Sequence, residues 1–356
     1  MDKIRTFMKR KNIEISLRRY GIDALGAMAQ GLFCSLLIGT IIKTLGQQLG
    51  IAFLVDIGTY ASAMSGPAMA VAIGYALKAD PMVVYSLAAV GWAANAEGGA
   101  GGPLAVLLIA IIASEFGKMV SRETKIDILV TPAVTTLVGV ALAKLVAPPI
   151  GNAARAFGMV IDQATKLQPF WMGIAVSVLV GIALTLPISS AAICTVFGLT
   201  GLAGGAAVAG CCANMVGFAV LSFRENRWGG LVSQGIGTSM LQMPNIVRNP
   251  KIWLPAILTS AVTGPLATCL FKLEMNGAPV SSGMGTCGLV GQIGVITGWV
   301  SPSEEALAKG AAAITPGVME WLGLFLISFV LPAVLCWGFG LFFRKIGWIK
   351  EGDLKL

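Results

Sequence analysis

Residues 84–118 read "VYSLAAVGWAANAEGGAGGPLAVLLIAIIASEFGK". Two apolar segments, residues 82–94 and 104–116, flank a cluster of glycines that carries Asn95 and Glu97. Each segment is about a dozen residues, and a helix that crosses a bilayer needs ~20. The pair is therefore predicted to dip into the membrane and return, or to cross with an unwound stretch at depth. An ionised carboxylate at membrane depth costs roughly 2.5–3.5 kcal/mol on insertion scales, so it has to be paired or to line a polar cavity. Glu97 is accordingly placed at the tip of a broken segment, facing such a cavity.

The rest of the chain has the same character. Of 356 residues, 56% are hydrophobic and only 12% are charged, against roughly 25% charged in a soluble domain. Long apolar runs, with none of the short alternating segments of a β-barrel, make this an all-α polytopic membrane protein. Its 45 glycines and the prolines inside apolar runs (Pro67, Pro187, Pro255, Pro265, Pro332) fit close helix packing and, where clustered, broken helices. The net charge of +8 comes largely from short basic flanks next to spans. Such flanks read as cytoplasmic and as neighbours of anionic lipid, not as a nucleic-acid surface. Both termini are then inside and the crossings even in number. The seven cysteines lie in apolar or glycine-rich segments without a CxxC pair, and read as small buried packing residues. Histidine is absent, which removes imidazole acid–base chemistry, histidine metal sites and phosphohistidine. No metal or cofactor is expected.

Read along its length, the chain has a basic, partly amphipathic lead-in (1–22), one membrane domain (23–345) and a cytoplasmic tail (346–356). Spans are predicted at 24–45, 53–77 (with Pro67 inside), 126–146 (ended by Pro148 and Pro149), 170–186, 253–271 and 317–343. Residues 151–166 read as a surface helix. Residues 185–230 and 275–298 repeat the device of short apolar pieces around glycines. The total is about ten membrane segments, several of them discontinuous.

Four polar groups fall in apolar surroundings: Asn95 with Glu97; Thr185, Ser189 and Ser190 around Pro187; Asn276, Ser281, Ser282 and Thr286; and Glu320 in "TPGVMEWLG". Broken helices present free backbone groups to such sites, and transporters bind substrate there. Carboxylates, amides and backbone groups can hold a sugar without a metal, because hydroxyls both donate and accept. The alternatives are local. Glu97 would cap a hydrated loop, Ser189 and Ser190 the helix after Pro187; Asn276 and the serines near it would build a turn; and Glu320 would sit at an interface beside Trp321. "GGAGGP" is no phosphate loop, since no GK[ST] follows it. "GMGTCG" lacks a βαβ context, and Asp23, Asp56, Asp80, Asp127 and Asp162 all sit at segment ends.

Residues 186–258, "LPISSAAICTVFGLTGLAGGAAVAGCCANMVGFAVLSFRENRWGGLVSQGIGTSMLQMPNIVRNPKIWLPAIL", resemble the EIIC-like membrane proteins of the sugar phosphotransferase system, the PfoR-type branch included. "ILVTPAVTTLVGVALAKLVAPPIG" (128–151) is similar to a span and loop of fructose-type EIIC proteins. The resemblance extends from about residue 20 to 345 and is strongest in the central block. It implies a homodimer in the bacterial cytoplasmic membrane, two re-entrant hairpins, and a transport domain that moves elevator-fashion against a dimeric scaffold. It also implies a sugar-binding role for Glu320, because Gly317-Val318-Met319-Glu320 has the spacing of a G-x-x-E motif, although the proline that often follows is absent. Gly101-Gly102-Pro103 loosely echoes the fructose-type "GGP". No phosphocysteine or phosphohistidine domain is fused, so phosphotransfer would need a separate EIIB-like phosphocarrier. Three functions follow as expectations. They are a sugar transporter, with Glu97, Asn95, Glu320, Ser189, Ser190, Asn276, Ser281 and Ser282 around the solute; a secondary carrier, uncoupled or ion-coupled, with Glu97 carrying a proton; and a ligand-sensing membrane regulator without transport.

Overall fold

A computed structural model describes residues 2–356; the first residue of the lead-in lies outside it. The described residues are all-helical apart from one isolated β-bridge, Gly201 with Met275. They divide into two compact units, the first ending at Ala154 and the second running from Arg155 to Leu356. Six helical stretches are long and apolar enough to cross a membrane: Arg19–Leu49, Pro81–Val120, Asp127–Ala164, Gly201–Leu221, Pro250–Leu270 and Val318–Lys345. Pro169–Thr185 and Cys287–Val300 are shorter apolar helices.

The first unit starts with α1 (Asp2–Arg10) and α2 (Arg19–Leu49). The predicted span at 53–77 is two helices of 12 residues each, α3 (Ala52–Ala63) and α4 (Ser65–Ala76), broken at Met64. The proline ring of Pro67 collides with a helical carbonyl four residues back, at Ala63, and that is where the helix stops. The opening stretch also differs from its expectation. It folds as α5 (Pro81–Gly98, 18 residues) and α6 (Gly102–Val120, 19 residues), packed together across a 3₁₀ turn at Gly99–Gly101. At 1.5 Å per residue each is about 27–29 Å long, close to the hydrocarbon core. Asn95 and Glu97 extend α5 by a turn. The bend comes at Gly99, whose φ of +51° is open to glycine.

Prolines 148 and 149 do not end the next span. α7 is one helix of 38 residues, Asp127–Ala164, with Pro132, Pro148 and Pro149 inside it. A membrane helix keeps such prolines when neighbours and local adjustment re-satisfy the freed carbonyls. The expected surface helix at 151–166 is its continuation.

Close backbone approach holds the first unit together. A β-carbon on Gly91 would meet the Gly66 carbonyl oxygen, and one on Gly66 the Gly91 carbonyl oxygen, so α4 and α5 touch through these glycines. At the other end, basic side chains cap helix C-termini. Arg19 donates to the Leu77 carbonyl at 2.6 Å, and Lys118 donates to the carbonyls of Asn12 (2.9 Å) and Leu77 (3.2 Å). Carbonyls at a helix C-terminus lack partners and carry the negative end of the dipole, so cations suit them. Lys118 also pairs with Glu115 at 2.7 Å, and Tyr20 donates to Glu115 at 3.0 Å. Outside the spans, Lys11 hydrogen-bonds Glu123, with Arg10 at 2.7 Å, and holds that carboxyl below its usual range.

The second unit is built on α8 (Pro169–Thr185), α9 (Ser190–Val196), α10 (Gly201–Leu221), α11 (Phe223–Val232), α12 (Met243–Arg248), α13 (Pro250–Leu270), α14 (Val290–Val300), α15 (Glu304–Ala308) and α16 (Val318–Lys345). α10 is the axis and packs on α8, α13 and α16. It is mostly Gly, Ala, Cys and Val, because backbones crowd it: a β-carbon on Gly210 would run into the Ser177 carbonyl. Its one buried amide, Asn214, accepts from Trp253 Nε1 at 2.9 Å and Thr185 Oγ1 at 3.2 Å, and donates to the Gly210 carbonyl at 3.0 Å and Ser260 Oγ at 3.2 Å. The tail is docked: the Leu354 carbonyl accepts from Asn226 (2.7 Å) and Gln242 (3.0 Å), and that of Lys355 from Asn245 (2.9 Å). Of the cysteines, Cys34 and Cys269 are exposed, against expectation, because they fall on outward helix faces; the other five are buried.

Candidate substrate-binding site

α8 ends because Leu186 precedes Pro187. A residue before proline is pushed out of the helical region, and Leu186 is extended (φ −67°, ψ 157°). Ser189 then caps α9, its hydroxyl accepting from Ala192 N–H at 3.2 Å. After the short α9 the chain turns at Gly198 and Gly201, both at positive φ, into α10. This irregular backbone meets a second irregular stretch, residues 274–289. Gly201 and Met275 exchange both backbone hydrogen bonds at 3.0 Å. Ser190 donates to the Gly283 carbonyl at 2.7 Å, and Ser282 to that of Leu199 at 2.6 Å. Two loops some 80–90 residues apart in the chain thus form one buried assembly.

Ser190, Asn276, Ser281 and Ser282 are all buried there. Asn276 donates to Glu274 at 2.9 Å, and its carbonyl accepts from Ser303 N–H at 2.8 Å. Ser281 packs under Gly294, where an added β-carbon would strike it. Lys309 donates to the Gly198 carbonyl at 2.6 Å. One hydroxyl of this assembly is left over: Thr200, at the start of α10, is 4% exposed and its Oγ1 has no partner among the described residues. The Gln292 carbonyl oxygen, on α14, is likewise buried without a partner, while its amide donates to Ser328 at 3.0 Å.

Sequence reasoning missed Thr200 and Gln292. Gln292 carried a usable signal, an uncharged polar side chain inside an apolar helix. Thr200 carried none, because a threonine before glycine is ordinary turn chemistry.

A family model described as "Phosphotransferase system, EIIC" matches residues 22–356, nearly the whole chain. The chain belongs to this family. No curated protein and no solved structure matches it. The family and the apolar helices together make this EIIC protein a multi-pass membrane transport protein.

The carboxylates of the EIIC chain are engaged locally. Glu97, about one-third exposed, forms an ion pair with Lys144 of α7. Lys144 was legible as the lone cation of the apolar run at 126–146. Asn95 makes a long 3.5 Å contact to Ser65 and packs over Gly102. Glu320 accepts from Gly317 N–H at 2.9 Å, so it caps its own helix, and Trp321 beside it packs edge-on to Trp299 at 5.0 Å. Five of the eight candidate residues, Ser189, Ser190, Asn276, Ser281 and Ser282, therefore fall on the paired loops of the second unit. Asn95 and Glu97 belong to the first unit, and Glu320 stands at the head of α16.

Proposed function

We propose that this EIIC protein carries a sugar or sugar derivative across the membrane, and that the paired loops of the second unit form the heart of the binding site. The observation that supports this most is the interrupted backbone itself. α8 and α10 break around Pro187 and Thr200, the break docks on residues 274–289, and Thr200 keeps a buried hydroxyl with no partner among the described residues. Irregular backbone inside a membrane protein is tolerated where it is buried in protein or lines a cavity, and transporters place solutes at such breaks. A polyhydroxylated solute would exchange its own hydrogen bonds for those between Ser190, Ser282 and the facing carbonyls. Asn276, Ser281 and Ser189 would complete the loops, with Glu320 as a further polar group at a helix end of the same unit, while Asn95 and Glu97 would be polar candidates within the first unit.

In this reading residues 23–345 act as one membrane domain, with elevator motion against a homodimeric scaffold. The membrane is the bacterial cytoplasmic one, with both termini inside. Phosphotransfer would come from a separate EIIB-like phosphocarrier.

Uptake of labelled hexoses into proteoliposomes tests the proposal. We expect saturable uptake that Thr200→Val and Ser282→Ala reduce at least about tenfold, the worth of one good hydrogen bond in a site that excludes water. Uptake that requires a phosphodonor places the protein in group translocation. Uptake driven by a pH gradient and lost in Glu97→Gln would make it an ion-coupled carrier. Binding without flux would overturn transport and leave a ligand-sensing regulator.

A further inference from the structure

At the far end of the last span the second unit has a pocket of about 350 Å³ that the substrate reading does not use. Leu231, Leu341, Trp228 and Trp337 are among the residues that line it, together with Arg224 and Arg344. Its composition is that of a membrane interface: aromatic rings with one apolar side, and cations just past the apolar stretch of a helix. Trp228 is 71% and Trp337 53% exposed, so both rings face the surroundings. Phe223 holds Trp228 edge-on at 5.4 Å. The Trp228 loop is fixed by an uncommon backbone state at Arg227 (φ 52°, ψ −147°), which a β-carbon disfavours.

The two arginines are not equivalent. Arg344 bonds Glu225 at 2.7 Å and the Leu221 carbonyl at 3.3 Å. Arg224 is exposed and forms no ion pair among the described residues. The pocket therefore carries one uncompensated cation directly over an apolar wall.

We infer that this pocket binds an anionic glycerophospholipid, with the headgroup phosphate on Arg224 and Arg344 and the first methylenes of an acyl chain on Trp228, Trp337 and Leu341. The carbon-rich wall selects a lipid over a free phosphate ester, which gains nothing from it. The cations select an anionic lipid over a zwitterionic one, whose own ammonium competes with them.

Quenching of tryptophan fluorescence by chain-brominated lipid tests this. The full chain is placed in phosphatidylcholine nanodiscs doped with brominated phosphatidylglycerol or brominated phosphatidylcholine. We expect half-maximal quenching at about fivefold lower phosphatidylglycerol, the preference one surface arginine confers. Arg224→Gln should abolish that preference. It removes no ion pair among the described residues, and an unchanged melting temperature shows that the variant is intact. Trp228→Phe with Trp337→Phe should remove the lipid-selective part of the quenching. A preference that survives Arg224→Gln, or equal quenching by both lipids, would overturn the inference. Full competition by soluble glycerol phosphate would overturn it too, because the ligand would then be a free anion.

Discussion

Single charges organise the first unit, and Lys118 shows how. It is 2% exposed, pairs with Glu115, and closes the C-termini near Asn12 and Leu77. A buried ion pair contributes little compared with an apolar pair of the same shape, but removing one partner strands the other charge. Lys118→Ala should therefore lower stability by about 3–5 kcal/mol, and Lys118→Met combined with Glu115→Leu should recover most of that loss. Thermal unfolding in detergent measures both; equal losses in the two variants would show that the ion pair is not the cause. In the sequence Lys118 is only a charge at the end of an apolar run. Its burial depends on Asn12, Arg19 and Leu77, which no local pattern connects to it. The same limit applies at the candidate site. Ser189 as a helix cap follows from its position after Pro187, whereas the bonds of Ser190 to Gly283 and Ser282 to Leu199 join residues that only tertiary folding brings together.

At the scale of elements, hydrophobic runs marked where helices occur better than where they stop. The predicted span at 53–77 breaks at Met64, and the one at 126–146 continues to Ala164. Proline stands in both, so proline alone does not decide. A break is stable only where packing accepts the freed groups, as it does for α3 and α4: α3 packs on α2, and α4 on both α2 and α5. Glycine was the more reliable sign. Gly66 and Gly91 let α4 and α5 meet backbone to backbone. Gly91→Ala should cost about 1–3 kcal/mol, the usual range for overpacking, as a lowered melting temperature in detergent. Gly229→Ala, where an added β-carbon meets nothing, is the control. If both variants melt together, the close approach is not what holds the pair.

For the whole molecule, membership of the EIIC family leads to an expectation about assembly. The proposed elevator motion requires a scaffold that stays still, and a dimer provides one. Light scattering on the detergent-solubilised protein should give twice the chain mass of 36.8 kDa after correction for bound detergent; a monomer at every concentration would rule out this form of the mechanism. The all-helical membrane class needed only composition, because apolar runs without charge have no other solvent than lipid. The family was readable in the central block, residues 186–258, and the glycine clusters pointed to interrupted helices. Tertiary structure alone decided which interruptions belong together. It paired the break at Pro187 with residues 274–289, gave Glu97 to Lys144 and Glu320 to its own helix end, and left Thr200 buried without a partner. The physical reason is that apolarity acts residue by residue along the chain, whereas a hydrogen bond needs a donor and an acceptor within about 3 Å of each other. For residues far apart in sequence, only the packed fold sets that distance.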